Sequence, residues 1–444
     1  MTTNKIIQLP DGYLNRTPMF QYILLSMLFP LWAVAASLND ILITQFKHVF
    51  ELSDFASALV QSAFYGGYFL VAIPASMVIK KTNYKVGIIT GLLFYIAGCS
   101  LFYPAAEMAT YTMFLFALFS IAIGLGFLET AANTFSSMIG PRQHATLRLN
   151  ISQTFYPIGA ISGILLGKYL VFQEGASLES KMAGMSAEEA HAFGLQMLQH
   201  SLQPYKYIIF VLIGILILFV ITKFPTCKPT LTKKEKASAK SAGLMKTLTH
   251  LVGIKDFRKG IAAQFLYVGM QVTVWSFTIR LALSLDPEIN ERMASNFMIY
   301  TFIAFFVGKF IANFLMTRFT PSKVLVVYSI IGALTLAYVS LVPNMTAVYA
   351  AVGVSMLFGP CWATIYAETL NVVKEKKYTE LAGAVIVMSL VGGAIIPATQ
   401  GFVSDLFGSM QLSFLIPMLC FIYIGFHFYG KMKRTEEVEL KKAQ

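Results

Sequence analysis

Twelve runs of mostly apolar residues follow one another through the 444-residue chain, separated by short polar connections. A helix rises about 1.5 Å per residue, so about 20 such residues cross the roughly 30 Å hydrocarbon layer of a bilayer. The runs lie near 20–46, 55–79, 86–107, 112–138, 149–171 and 205–224, then 260–284, 294–316, 322–342, 346–372, 380–404 and 411–430. Hydrophobic residues make up 56% of the chain and charged residues 13%. Soluble domains carry about 25% charged residues. This chain cannot cover itself with a polar surface, and an all-α integral membrane protein of twelve spans is the fold class that fits.

The net charge is +12. Basic residues gather at alternate connections: Lys80, Lys81 and Lys85; Arg142 and Arg148; Arg318 and Lys323; Lys374, Lys376 and Lys377; then Lys431, Lys433 and Arg434. The other connections are richer in acids, as at Glu51 and Asp54, Glu174 to Glu189, and Asp286 to Glu291. Positive connections stay on the cytoplasmic side, so both termini are expected there. This distribution suits lipid headgroups, and no nucleic-acid partner is expected. The first 18 residues lack the short apolar core of a cleavable signal, so the first run is expected to remain as a span. The four cysteines and six histidines show neither paired nor metal-ligand spacing, and no metal site is expected.

The longest basic connection, Pro225 to Phe257, divides six spans from six. The expected organisation is residues 1–224 as an amino-terminal six-helix bundle, 225–259 as a cytoplasmic linker, and 260–444 as a second bundle with a short tail. A faint echo links the halves: Gly67-Tyr-Phe-Leu after the start of span two, Gly308-Lys-Phe-Ile in span eight. Two repeats with a site between them is a common plan for carriers. The polar segment 172–203 is expected to be an external loop, with residues 182–191 patterned like a short amphipathic helix.

Ionisable groups inside a span cost about 2.5–3.5 kcal/mol on insertion scales, so each needs a reason. Asp40 follows Asn39 in span one, and Glu129 lies in span four. Their positions along opposed helices put them on the order of 15 Å apart in depth, two stations rather than a dyad. A carboxyl group surrounded by apolar residues can accept and release a proton as water reaches it, which makes both acids candidates for proton coupling. Glu368 and Arg280 could be functional or static helix–helix contacts. Lys309 is expected to snorkel toward the inner headgroups.

Trp32, Trp275 and Trp362 fall near mid-span rather than at the interfaces where tryptophan usually collects. An indole there either packs or stacks on the apolar face of a sugar. Asn39, Gln61, Asn133, Asn150, Gln153, Gln264, Gln271 and Asn296 supply hydrogen-bonding groups inside the spans. Gly159, Gly163 and Gly167 form a small-residue seam for close helix packing. Pro157, Pro360 and Pro397 are expected to kink spans five, ten and eleven.

On these residues the chain resembles the L-fucose:proton symporter type, in the fucose–galactose–hexose branch of the major facilitator superfamily. The stretches that carry the resemblance are Leu38-Asn-Asp-Ile-Leu-Ile, Gln61-Ser-Ala-Phe-Tyr-Gly-Gly-Tyr-Phe, Gly87-Ile-Ile-Thr-Gly-Leu and Phe102-Tyr-Pro-Ala-Ala-Glu. Leu128-Glu-Thr-Ala-Ala-Asn, Arg148-Leu-Asn-Ile-Ser-Gln-Thr-Phe, Gln264-Phe-Leu-Tyr-Val-Gly-Met-Gln and Trp275-Ser-Phe-Thr-Ile-Arg complete the set. The resemblance implies two six-helix bundles, alternating access, and a cavity lined by spans one, four, seven and ten. It implies proton coupling and sugar recognition at Asp40 and Glu129. Trp32, Asn39, Gln61, Asn133, Gln153, Tyr156, Gln271, Trp275 and Trp362 are the further sugar-binding candidates.

Three positions depart from the pattern of the fucose carriers. Thr134 stands where they have proline, Tyr156 where they have asparagine, and Gly359 where a tyrosine precedes the proline. The resemblance therefore implies the fold and the coupling acids but not the sugar. The expected function is import of L-fucose or a related monosaccharide or glycoside with protons, by a multi-pass monomer of the bacterial inner membrane. The proton is the coupling ion, and no cofactor is expected. The alternatives are a glucose or galactose carrier, coupled to H⁺ or Na⁺, and a sugar receptor that does not transport. A membrane enzyme would need a nucleophile, metal ligands or a phosphate loop, and no such cluster stands in the sequence.

Overall fold

Hydrocarbon offers no partners to backbone N–H and C=O groups, so a chain this apolar has to satisfy them within its own helices. The computed structural model describes residues 6–49, 54–108, 110–166, 185–230, 244–286, 288–289 and 291–443; for 39–49, 54–63, 65, 187, 191, 198, 201, 291–295, 376 and 435–443 it describes the backbone alone. In chain order the helices are α1 Met19–Ser26, α2 Leu28–Val49, α3 Asp54–Lys81, α4 Tyr84–Glu107, α5 Tyr111–Met138, α6 Ala145–Gln153, α7 Tyr156–Leu166, α8 Ala187–Ser201 and α9 Gln203–Ile221. They continue with α10 Leu244–Gly253, α11 Lys255–Leu285, α12 Glu291–Met316, α13 Pro321–Leu341, α14 Met345–Leu357, α15 Cys361–Asn371, α16 Thr379–Met388, α17 Gly392–Phe407 and α18 Leu415–Ala443.

Ten stretches among the described residues are long and apolar enough to cross a membrane, from Met19–Leu38 to Leu412–Arg434. They correspond to expected spans one, three, four and six to twelve. Span two coincides with α3. Span five is broken into α6 and α7, and its last residues lie outside the described ones. Local signals set several helix ends. The Asn83 side chain accepts from the Val86 N–H at 2.9 Å at the start of α4. Gly408, with φ +58°, ends α17 in the left-handed conformation that glycine adopts freely.

The expected proline breaks are present at two of three places. The chain turns at Thr154–Phe155 just before Pro157, and at Phe358–Pro360 between α14 and α15. Pro397 instead sits inside α17, and the irregular turn lies upstream at Ser389–Val391. A proline ring presses on the turn that precedes it, so the distortion appears on the amino-terminal side.

Two compact units are found. One comprises residues 19–135 and 158–226; the other comprises 1–18, 136–157 and 227–444. The boundary at 226–227 falls at the start of the expected linker, while 1–18 and 136–157 pack with the later residues.

Within the first unit, α3 crosses α5 where a Cβ on Gly67 would lie 2.5 Å from the Ala122 Cβ. The seam expected in span five packs on span one: a Cβ on Gly159 would fall 2.0 Å from the Pro30 carbonyl oxygen, and one on Gly163 2.8 Å from the Ser37 Cβ. Gly167 lies outside the described residues. Over 187–201 the expected loop is instead a helix, α8, which extends past the short helix expected at 182–191 to Ser201 and packs on α2, α4 and α9. Ser186 and Glu189 close a capping box at its start. Residues 182–184 lie outside the described ones.

Within the second unit, α13 lies along α18, and α11 is flanked by α15, α17 and α18. Here α12 crosses the α14 end at Gly308, where a Cβ would meet the Met356 carbonyl oxygen at 1.9 Å. Gly67 and Gly308, the two halves of the faint sequence echo, thus serve the same purpose. Each lets the second helix of its half pass against the fourth.

At one edge of this unit the amino terminus folds as a hairpin. Gln8 bridges to Leu14, and Gly12 turns the chain with φ +91°. The Gln8 amide clasps the chain at residues 227–228: its Nε2 donates to the Lys228 carbonyl at 2.6 Å and its Oε1 accepts from the Cys227 N–H at 3.1 Å. Cys227 itself is buried at φ +46°, the one non-glycine residue with positive φ among the described residues.

Candidate functional site

Each unit carries its own share of the candidate residues. In the first, α5 holds Glu129 and, one turn further on the same face, Asn133. Glu129 is 6% exposed and Asn133 fully buried. The Tyr68 hydroxyl from α3 hydrogen-bonds the Glu129 carboxyl group. The other carboxyl oxygen, Oε2, is buried with no hydrogen-bond partner among the described residues, and so is the Thr130 hydroxyl beside it. On the same two helices, Val71, Ala75 and Phe127 form an apolar cluster with Val78 and Ile123. Trp32 is buried on α2 with its ring 4.6 Å from that of Phe29. Asn39 and Asp40 continue α2, and Gln61 lies on α3, but the side chains of all three lie outside the described residues.

The carbonyl end of α5 is held by a residue from the next helix. The Arg148 guanidinium donates to the carbonyl oxygens of Ser136, Ser137 and Pro141. Helix carboxyl ends leave such groups without intrahelical donors, and a cation there is doubly favourable. Ser136 also pairs with Ser152 at 2.8 Å.

In the second unit, Trp275 is enclosed. Its indole N–H donates to the Ser355 hydroxyl at 3.1 Å, and Phe302, Phe305 and Phe358 surround its ring at 4.7, 5.4 and 6.4 Å. Trp362 differs. Buried to the same degree as Trp275, it stacks on Tyr366 at 6.5 Å, and its buried N–H has no partner among the described residues. Gln271 hydrogen-bonds Tyr267, whose ring packs edge-on against Phe358. Gln264 is fully buried, and neither its oxygen nor its nitrogen has a partner among the described residues. Gln153 is buried at the end of α6, and half-buried Tyr156 presents its ring at right angles to Phe305 at 6.4 Å.

Three charged residues find their places. Glu368 is a helix–helix contact: its Oε2 pairs with Lys431 Nζ at 2.8 Å, and the same ammonium bonds the Glu368 carbonyl. Arg280 is exposed and lies over the Phe277 ring at 4.9 Å. Lys309 does not snorkel. It is 2% exposed, with its ammonium 3.2 Å from the Gly359 carbonyl oxygen and 4.5 Å from the Phe305 ring centre. The tight crossing at Gly308 tucks the next side chain under the break between α14 and α15.

Neither Tyr68 nor Ser355 is among the residues the sequence marks as candidates, and Arg148 is marked there only by its place in a basic connection. Tyr68 and Arg148 stand inside motif stretches, and a tyrosine hydroxyl or an arginine between apolar runs was the available signal. Ser355 carries no such mark.

The pattern that defines the Major Facilitator Superfamily matches residues 19–397. The chain is 37% identical over 415 residues to the L-fucose-proton symporter of Escherichia coli, covering 93% of each chain. It is 31% identical over 410 residues to a glucose/galactose transporter of Brucella abortus, covering 91% of this chain and 92% of the relative. A crystal structure of the major facilitator transporter FucP in the outward conformation superimposes with a TM-score of 0.83 at 37% identity, over 92% of this chain and 98% of that one. This multi-pass membrane chain therefore belongs to the major facilitator superfamily, in the branch that holds the L-fucose–proton symporters.

Proposed function

We propose that the protein is a proton-coupled symporter that imports L-fucose or a related monosaccharide or glycoside. It works by alternating access between two six-helix bundles, residues 1–224 and 260–444, joined by the basic stretch 225–259. Both termini are cytoplasmic, the membrane is the bacterial inner membrane, and the carrier acts as a monomer in the lipid bilayer. Asp40 and Glu129 exchange the proton and meet the sugar hydroxyls. Trp32, Asn39, Gln61, Asn133, Gln153, Tyr156, Gln271, Trp275 and Trp362 are the further contacts. No cofactor enters this reading, since the proton is the coupling ion.

Glu129 is the observation that carries it. Buried polar atoms in a static support are almost always hydrogen-bonded. Glu129 has one oxygen on Tyr68 and one left open among the described residues, which suits an acid that must take a proton and a sugar hydroxyl in turn. Proton and sugar can shift the balance of the two carrier states only by binding them unequally. Replacing Glu129→Gln is expected to preserve sugar exchange across vesicle membranes while abolishing accumulation driven by a pH gradient. Undiminished accumulation by that variant would falsify the coupling role.

A second reading keeps the coupling and changes the cargo. Tyr156 and Gly359 shift aromatic bulk relative to the fucose carriers, which favours a different hexose, as in the glucose/galactose relatives. A panel of sugars scored by thermal stabilisation, followed by uptake of each hit, separates the two readings.

A further inference from the structure

The helix α10, Leu244–Gly253, stands at the border of the membrane. It ends just before α11, Lys255–Leu285, which is long and apolar enough to cross. At about 100° per residue, Leu251, Leu244, Leu248, Val252 and Met245 fall in that order within about 120° of its circumference. A stripe that wide normally faces a core. Here the protein covers only one edge of it. Thr247 and Leu251 are buried and Leu248 is half-buried, while Leu244, Met245 and Val252 are exposed, Met245 to 74%. On the covered side, His250 Nε2 lies 2.9 Å from Glu375 Oε1, and the His250 ring tilts against Tyr378 at 4.9 Å. Lys246, Thr249 and Gly253 make up a third, polar side and are exposed.

A docked side, an apolar side and a polar side suit a helix that lies along a membrane surface beside its own protein. In water the open apolar edge is unfavourable; at the interface it enters the boundary between headgroups and acyl chains. The neighbouring charges select the lipid. Lys255, Arg258 and Lys259, in the first two turns of α11, are exposed, and none of them forms an ion pair among the described residues. Asp256 is the one acid between 244 and 259, and Arg434 holds it through two hydrogen bonds, at 2.9 and 3.2 Å. Glu375 is likewise engaged by His250 and by Lys377, each at 2.9 Å. The three cations thus stand where a span meets the headgroups, with the nearby carboxylates already committed. A zwitterionic headgroup brings its own ammonium to such a place; an anionic one brings an unanswered phosphate charge.

We infer that α10 and the start of α11 form a docking surface for anionic phospholipid, with Leu244, Met245 and Val252 among the acyl chains and Lys255, Arg258 and Lys259 on the headgroup phosphates. The inference stands on the membrane assignment and not on the transport reading, so its test needs no sugar. An NBD fluorophore is attached to the full-length protein at Met245→Cys or, on the polar side, at Lys246→Cys; the four native cysteines are buried. Each labelled protein is placed in phosphatidylcholine vesicles that carry an equal share of brominated phosphatidylcholine or brominated phosphatidylglycerol. Brominated lipid is expected to quench the Met245 probe, the phosphatidylglycerol form about twofold more, while iodide on both sides of the membrane quenches the Lys246 probe. Raising salt from about 0.1 to 1 M shortens the Debye length from about 10 to about 3 Å and should level the two lipids. The combined substitution Lys255→Gln, Arg258→Gln and Lys259→Gln should level them at low salt. A Met245 probe open to iodide and untouched by lipid overturns the proposal. Equal quenching by the two lipids at low salt, or a preference that either change leaves intact, overturns it as well. Protection from both quenchers marks a protein occupant, a second copy or another chain, and counts against it equally.

Discussion

The ammonium of Lys309 lies 3.2 Å from the carbonyl oxygen of Gly359, with the ring of Phe305 on its other side at 4.5 Å. That carbonyl belongs to the break that follows α14, where backbone acceptors are left without helical donors.

The magnitudes nearly cancel at this lysine. A cation buried within a span costs up to about 2.5–3.5 kcal/mol, while a hydrogen bond from a charged donor returns about 1.5–3 kcal/mol. The aromatic face adds about 0.5–2 kcal/mol. Lys309→Met, which keeps the stem and removes both cost and return, is therefore expected to change stability by less than about 1 kcal/mol. Lys309→Glu sets a carboxylate against a carbonyl oxygen and is expected to cost at least about 3 kcal/mol. Thermal unfolding of both variants in detergent decides. A large loss in the methionine variant refutes this accounting.

The two tryptophans of the second unit should separate on substitution. Trp275→Phe strands the Ser355 hydroxyl and loosens the aromatic cluster, so a stability loss of about 1–2 kcal/mol is expected. Trp362→Phe breaks no hydrogen bond among the described residues. It should cost less stability than Trp275→Phe, through lost packing alone, and weaken binding of the cognate sugar. Unfolding temperatures with and without sugar measure both effects. Equal behaviour of the two variants contradicts the distinction.

Burial pushes the Cys227 thiol from its ordinary 9.0 up to about 12. The folded chain then holds that proton more tightly than the unfolded one, so the associated stability is intact below pH 9 and drains away between about pH 9 and 12. Cys227→Ala should flatten this alkaline loss. Cys227→Gly should also relieve the backbone at φ +46° and be about 1 kcal/mol more stable than Cys227→Ala. Unfolding midpoints from pH 8 to 10 test the first expectation, and identical slopes for wild type and Cys227→Ala refute it. Alkylation in intact membranes tests the burial: Cys227 should resist a maleimide at neutral pH.

Hydropathy reads one dimension of such a chain well. The ten described spans lie where the apolar runs put them, and Glu129 stood out because an acid between glycine, leucine and alanine has few structural excuses. Gly67 and Gly308 were visible as a repeat because close helix crossings tolerate no side chain. Direction around a helix is harder to read. Lys309 counted by depth alone sits near headgroups, yet the crossing at Gly308 turns it inward. Tyr68 was inconspicuous because its role depends on which face of α3 meets α5, a fact of packing rather than of composition. Trp275 and Trp362 are alike in sequence, and what distinguishes them, Ser355 and the phenylalanines around Trp275, lies far along the chain. The extent of α8 is less legible, because the amphipathic pattern over 182–191 does not show that the helix continues to Ser201.

The docking of α8 has a practical corollary. Glu188, Glu189, Gln196 and Gln199 face outward, while Gly194 and Met197 are buried. An antibody fragment raised against that outward face would grip an ordered epitope fixed to three other helices, giving this small hydrophobic protein a handle for particle alignment in electron cryomicroscopy.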